Sequence, residues 1–202
     1  MDYIEILKKF VGGEMSIEEF KNIYFFDEKI QQFLQDNLPE SMVGYADVRW
    51  NDGDINLALK KQKWETKWGR SVIQSLIEIW LTRNNIDCYV TPIYDEEYSF
   101  LIDVMPDYIN GVQAEAFIDD IIQSVPETMP KTKRIKEIKA KTKEAFHVED
   151  RKYPRWAQDT DWPFSQMGKP LKYVSRKTGG DLVQHTFVDV DTGEETIVEE
   201  FY

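Results

Sequence analysis

The sequence predicts an α+β fold, with a helix-rich α+β part containing one small hairpin over residues 1–147 and a small antiparallel β module over 148–202. Three observations lead there. Apolar residues recur at three- and four-residue spacing through much of the first 146 positions. From Val148 onward, Pro154, Pro163, Gly168, Pro170, Gly179 and Gly180 cut the chain into short β-prone runs. A chain of 202 residues, 42% hydrophobic and 13% aromatic, is long enough to bury roughly 70% of the surface its unfolded form exposes. That suffices for one core, or one core with a small appended domain.

Each element has its own signal. Ile4, Leu7, Phe10 and Val11 mark one face of a first helix that Gly12-Gly13 ends. Ser16-Ile17-Glu18-Glu19 is a capping-box pattern for a second helix. Asp27 caps a third, with Ile30, Phe33 and Leu34 as its inner stripe and Pro39 beyond its end. Met42–Leu59 stays open: Val43, Tyr45, Val48 and Trp50 suit a strand or a loop, and Asn51-Asp52-Gly53-Asp54 is a turn.

Ser71 begins the expected core helix, in which Ile73, Leu76, Ile77, Trp80 and Leu81 repeat and Asn84-Asn85 follows. Trp64 and Trp68, four apart beside Lys60, Lys61, Lys63 and Lys67, read as a helix face meeting the core. Residues 87–94 and 98–105 read as a hairpin with Asp95-Glu96-Glu97 at its tip. Val112–Val125 reads as a helix with Ala116, Phe117, Ile121 and Ile122 inward and Asp119 and Asp120 outward. Pro126 and Pro130 frame a connector to a basic helix over 131–146, expected to be solvated and to bridge the two parts. In the C-terminal module, Leu171–Ser175, Leu182–Val190 and Glu195–Phe201 read as strands, with Asp191-Thr192-Gly193-Glu194 as a hairpin turn. There is no internal repeat and no low-complexity tract.

Charge narrows the function. Against a net charge of −12, Thr178–Tyr202 holds no Lys or Arg and seven carboxylates, Asp181, Asp189, Asp191, Glu194, Glu195, Glu199 and Glu200. The one dense basic run, Lys131–Lys143, has seven basic residues against Glu137. Such a surface speeds encounter with basic partners and works against polyanionic ligands, so neither nucleic acid nor an anionic membrane is expected as the main ligand. The single cysteine, Cys88, closes no intramolecular disulfide, and two histidines are too few for a Cys/His zinc site. No apolar run approaches the roughly 20 residues of a membrane span. Met-Asp-Tyr-Ile-Glu-Ile at the start lacks the basic flank and apolar core of a secretory signal. The expectation is a cytoplasmic protein with no cofactor and no bound metal.

Reactive constellations are weak. Asp189-Val190-Asp191-Thr192-Gly193-Glu194-Glu195 resembles the start of a calcium loop with Glu200 at the twelfth position, but flanking Phe187, Val188, Ile197 and Val198 favour strands and a plain turn. His147 and His185 are the only imidazole bases and Cys88 the only thiol, with no spacing that pairs them. Paired carboxylates serve hydrolases, yet among 37 Asp and Glu no pair is singled out. The most distinctive string is Arg155-Trp156-Ala157-Gln158-Asp159-Thr160-Asp161-Trp162-Pro163. Two indoles bracketing two carboxylates form either an acidic aromatic platform for a basic partner or the filling of a small β module's core.

The helical start Ile4-Glu5-Ile6-Leu7-Lys8-Lys9-Phe10-Val11, then Ser16-Ile17-Glu18-Glu19-Phe20, is one part of a resemblance. Pro154-Arg155-Trp156-Ala157-Gln158, Asp161-Trp162-Pro163 and Gly168-Lys169-Pro170-Leu171-Lys172-Tyr173-Val174 are the other. With the acidic balance, these make the chain resemble bacterial immunity proteins of polymorphic toxin and contact-dependent inhibition systems, over about the first 40 and last 55 residues. The resemblance implies a cytosolic, non-enzymatic protein that binds and blocks a cognate toxin, often a basic nuclease.

The expected function is therefore neutralisation of a basic protein partner. Its candidate contacts are Trp156, Asp159, Asp161 and Trp162, then Asp189, Asp191, Glu194 and Glu195 on the C-terminal hairpin, and Asp95, Glu96 and Glu97 as a second patch. Two other classes stay open: a metal-dependent hydrolase using clustered carboxylates, and a nucleic-acid-associated module using the 131–143 basic helix.

Overall fold

Asp2 starts the first helix: its carboxylate accepts hydrogen bonds from the amides of Ile4 and Glu5, and α1 (Tyr3–Gly12) runs until Gly13, at φ 82°, turns the chain. The structure, a computed structural model, describes residues 2–43, 51–149, 151–158 and 160–202. Ser16 and Glu19 form the full reciprocal capping box of α2 (Ile17–Phe26), and Asp27 caps α3 (Glu28–Asp36) through the Lys29 amide. The short helices α4 (Glu40–Val43) and α5 (Ile55–Lys60) lie in the stretch left open between strand and loop. Tyr45, Val48 and Trp50 lie outside the described residues. The turn before α5 is as expected, with the Asp54 amide donating to the Asn51 carbonyl.

The core helix is α6 (Lys67–Arg83), capped by Thr66, whose hydroxyl accepts from the Gly69 amide. It buries Ile73, Leu76, Ile77, Trp80 and Leu81, the five residues its periodicity singled out. Between them Gln74 is buried too. Its side-chain amide donates to the carbonyls of Val11 and Thr91, joining the Thr91 amide, which also donates to Val11, in tying the end of α1 to the segment around Thr91. Trp64 is buried, stacked on Phe20 and Tyr24, with its indole N–H on the Leu59 carbonyl. Trp68 is 54% exposed and packs on Tyr98, so the expected shared face of the two indoles does not form.

Residues 87–105 are not a hairpin. α7 (Ile93–Val104) occupies the second half of that segment, and its buried residues, Tyr94, Leu101 and Val104, stand at helical intervals. Asp95, Glu96 and Glu97 accordingly belong to the first turns of a helix and not to a strand tip. Within the same helix the chain passes from one core to another: the two compact units are Met1–Ser99 and Phe100–Tyr202. Tyr94 belongs to the first core and Leu101 and Val104 to the second.

The second unit contains α8 (Val112–Ser124), α9 (Lys131–Ala145) and a three-stranded antiparallel sheet of β1 (Lys172–Gly179), β2 (Leu182–Val188) and β3 (Glu195–Phe201), in the order β1-β2-β3. The inner residues of α8 are Ala114 and Ile118, with Phe117, Ile121 and Ile122 half-buried and Ala116 exposed. The basic helix α9 is less solvated than its composition suggests: Ile138 and Thr142 are buried and Ile135 packs on the core. Phe146, just past its end, meets Phe117 and Trp162 edge-on. Helical and strand residues thus share one core. The compositional boundary at 147/148 falls inside this unit, because those interdigitating aromatics come from both sides of it.

The architecture is α+β, helices mostly N-terminal, with a small β module at the C-terminus. Among the described residues no helix is long and apolar enough to cross a membrane. Replacing Ser16 by Ala removes the acceptor for the Glu19 amide; a loss of about 1 kcal/mol in thermal or denaturant unfolding is expected, and an unchanged midpoint contradicts the capping role.

Candidate protein-binding surface

The sheet is oriented by β2. Val183, His185 and Phe187 alternate along it and are fully buried, which fixes one face of the sheet to the core. β3 pairs with β2 in unbroken register, Val183 with Glu200, His185 with Val198 and Phe187 with Thr196. That pairing forces Thr196, Val198 and Glu200 inward and sends Glu195, Ile197, Glu199 and Phe201 out. The result inverts the hydrophobic pattern of β3: Ile197 is 57% and Phe201 59% exposed, while Glu200 is 1% exposed.

Glu200 is held by four donors. Its carboxylate accepts from the amides of Ala157 and Gln158, both at 2.9 Å, from the Thr160 hydroxyl at 2.6 Å and from His185 Nε2 at 2.9 Å. Burial by itself raises the pKa of Glu200, but the bonds from Thr160, Ala157, Gln158 and His185 outweigh it and hold the carboxyl below its ordinary value. Burial pushes His185 below the ordinary imidazole value, against the opposing pull of Glu200. Both side chains are fully buried, so we read the pair as a neutral imidazole donating to a carboxylate. His185 Nδ1 has no hydrogen-bond partner among the described residues. Its ring is covered by Trp156, with centroids 4.7 Å apart. Glu200 thereby fastens Ala157, Gln158 and Thr160 to the inner face of the sheet.

That segment's aromatic flanks are structural. Trp162 is 3% exposed, donates its indole N–H to the Leu171 carbonyl at 3.0 Å and meets Phe146 and Phe187 edge-on, so it is withdrawn from the expected interface. Trp156 is half-buried, bonds the Tyr108 carbonyl at 2.8 Å and stacks on Phe187. Asp161 is exposed but lies against Gly111, the residue preceding α8: a β-carbon there would stand 2.7 Å from the Asp161 carboxyl carbon. A carboxylate near a helix N-terminus is favourable. Asp159 lies outside the described residues.

Gly111 has φ 110° and ψ 154°, a region only glycine adopts without strain. Gly111→Ala is therefore expected to cost about 1–3 kcal/mol of stability. An unaltered unfolding midpoint contradicts this account of the Asp161–Gly111 contact.

The hairpin turn forms where expected. Asp189 exchanges hydrogen bonds with the far side of the turn, its amide donating to the Glu194 carbonyl and its carbonyl accepting from Gly193, which sits at φ 76°. The Asp189 carboxylate accepts from the Asp191 amide at 2.9 Å, and the Thr192 hydroxyl accepts from the Glu194 amide. These local bonds make an Asx-type turn, and Glu200, the twelfth position of the calcium-loop pattern, faces the core on the other side of the sheet. The calcium resemblance does not carry into three dimensions. Among the described residues no group of three or more His, Cys, Asp or Glu is placed to hold a metal ion.

Asp191, Glu194, Glu195 and Glu199 are exposed and Asp189 half-buried. Asp191 pairs with Lys169 at 2.6 Å, and this bond raises the pKa of the lysine. Glu199 accepts from Gln184. The structure thus collects Asp189, Asp191, Glu194 and Glu195 at one end of a rigid sheet and extends them along β3 through Glu199. The second acidic patch lies in the first unit, where Asp95 accepts from the Ser71 hydroxyl at 2.5 Å, Glu96 is exposed and Glu97 half-buried.

Sequence reasoning missed Ile197 and Phe201 as surface residues and Glu200 as a core residue. The signal lay in β2, whose apolar alternation is the cleaner one and dictates the facing of its neighbour. On α9, Lys131 pairs with Asp103, and Arg134 pairs with Glu127 and lies over the Phe100 ring. Cys88, whose thiol burial raises, belongs to the first unit, and His147 and His185 to the second. Comparison with protein-family models, curated proteins and solved structures finds no match.

Proposed function

We propose that the protein is an acidic, cytosolic binding protein that captures and neutralises a basic protein partner, in the manner of an immunity protein blocking its toxin. The observation that supports it best is the combination on the C-terminal hairpin and β3: exposed carboxylates of Asp191, Glu194, Glu195 and Glu199 interleaved with exposed Ile197 and Phe201 on one fixed face. Carboxylates at such a surface accelerate encounter with a cation, while desolvated apolar side chains supply the anchoring that charge alone does not. The net charge of −12 extends the attractive field over the rest of the molecule. Asp161 and half-buried Trp156 have structural partners and are secondary contacts in this reading, and Asp95, Glu96 and Glu97 form a separate patch.

The test is calorimetric titration of the full chain with the purified product of the adjacent gene, the position a cognate toxin occupies in immunity systems. The wild-type protein binds it; Glu194→Lys/Glu195→Lys weakens binding by about tenfold or more, since juxtaposed like charges cost on the order of 1 kcal/mol each at an exposed rim. Charge reversal at Lys133, Lys136 and Lys139 on α9 leaves the affinity unchanged. Loss of binding in the α9 variant with the Glu194→Lys/Glu195→Lys variant unaffected, or no heat from the wild type, contradicts the proposal.

A further inference from the structure

The sheet has two edges, and they are built differently. The β1 edge carries Lys172, Arg176 and Lys177, and its pairing with β2 is broken by a bulge between Tyr173 and Ser175. Bulges and edge charges are the devices by which sheets refuse a further strand. The β3 edge has no bulge: its seven residues pair with Leu182–Val188 without a slip. The Tyr202 amide donates to the Asp181 carbonyl, continuing that register. In an antiparallel ladder the backbone groups of alternate residues point to opposite sides, so if Tyr202 and the even-numbered residues bond β2, those of Glu195, Ile197, Glu199 and Phe201 point to the open edge. There the Phe201 carbonyl takes the Gln158 side-chain amide. Among the described residues, no hydrogen bond fills the edge at Glu195, Ile197 and Glu199.

The same four residues carry the outward side chains, in the order acidic, apolar, acidic, apolar. Ile197 and Phe201 are more than half exposed, with Tyr202 beside them at 70%. An unpaired, unbulged strand whose apolar residues face water is the arrangement that strand-adding ligands use: backbone bonds give affinity, and alternate side chains give specificity.

We propose that the open edge of β3 accepts an extended segment of the basic partner as a fourth strand. This rests on the basic-partner reading and specifies how that partner is gripped. Cross-strand neighbours meet side by side on one face, so the incoming segment places Lys or Arg opposite Glu195 and Glu199 and apolar residues opposite Ile197 and Phe201. Read in the direction of β3, its recognised pattern is basic-x-apolar-x-basic-x-apolar. A segment running antiparallel carries the same alternation in reverse order, and a basic-x-apolar-x-basic stretch meets Glu199, Ile197 and Glu195 in that direction. A second copy of this chain fits worse. Two β3 strands crowd Glu195 and Glu199 of both copies onto one face with no cation among them, the bulge spoils β1 as a donor, and a net charge of −12 opposes self-association.

The probe is the peptide Lys-Thr-Ile-Thr-Lys-Thr-Ile, its ends blocked, titrated into the full-length protein and followed by amide NMR and anisotropy. Two analogues are N-methylated at alternate residues, one in each phase; methylation leaves the charge intact and removes only the amides of one side. The expected result is binding with slowed exchange of the Ile197 and Glu199 amides, and loss of about tenfold or more in affinity for one methylated phase and not the other. Equal binding by both analogues overturns strand addition while leaving electrostatic capture intact. Absence of peptide binding overturns it as well, and so does concentration-dependent dimerisation that protects the same amides without peptide. The titration against the adjacent gene product decides the basic-partner reading independently.

Discussion

Replacing Glu200 by Ala is expected to destabilise the second unit by about 3–5 kcal/mol and to free Ala157, Gln158 and Thr160 from the sheet. The carboxylate is the common acceptor for two backbone amides, a hydroxyl and an imidazole, all within 2.9 Å. Removing one partner of such a buried set leaves the others desolvated and unbonded, which costs far more than the net worth of any single bond. Thermal unfolding followed by near-ultraviolet circular dichroism reports it, because Trp156 packs on His185 and Phe187 and loses its fixed environment with the clamp. Unchanged stability contradicts the assignment of Glu200 as the clamp.

The same clamp makes stability depend on pH, with a definite sign. The folded values of both Glu200 and His185 lie below their unfolded ones. For His185, a depressed value means that folding favours the neutral ring; its contribution is present above the unfolded value of about 6.5 and is lost as pH falls below it. For Glu200 the loss follows at lower pH, below the unfolded carboxyl value of about 4.3. The unfolding midpoint should fall steadily from pH 7 to pH 4.

The other large effect belongs to the first unit. Gly69 sits in the first turn of α6 against the 63–66 turn, and a β-carbon built on it lies 2.0 Å from the Lys63 carbonyl oxygen and 2.6 Å from its carbon. Those obstacles are backbone atoms, so no side-chain rotation relieves the overlap. Gly69→Val is expected to cost at least about 3 kcal/mol, at the upper end of overpacking penalties. The strain reaches the core directly, because the neighbouring Trp64 stacks on Phe20 and Tyr24. Urea denaturation of the variant checks it; a midpoint within experimental error of the wild type contradicts the packing described for this turn.

The elements with side-chain stop and start signals were legible in the sequence: the Ser16–Glu19 box, the Asp27 cap, the α6 stripe and the turn before β3 all stand where their residues put them. Residues 93–104 were misread because Ile93, Tyr94, Tyr98, Phe100 and Ile102 are good strand formers, and propensity masked the helical spacing of Tyr94, Leu101 and Val104. Pro92 before the helix and Asp95 and Glu96 in its first turn were the contrary signals. Phe146, at the end of a lysine-rich run, gave no hint that α9 shares a core with the sheet, since that depends on Phe117 and Trp162 from distant positions. The acidic hairpin was legible as charge. Which face of β3 meets water was legible only indirectly, through the alternation of β2, and the donors that make burial of Glu200 tolerable, Ala157, Gln158 and Thr160, lie some forty residues away.

Stopped-flow association with the basic partner we propose, sought in the adjacent gene product, between about 20 and 300 mM salt tests the central claim most directly. The wild-type rate should fall at least tenfold across that range, and Asp191→Asn/Glu194→Gln/Glu195→Gln/Glu199→Gln should flatten the dependence with little change in the rate at high salt. Identical salt slopes for the two proteins would show that the hairpin carboxylates do not guide the encounter.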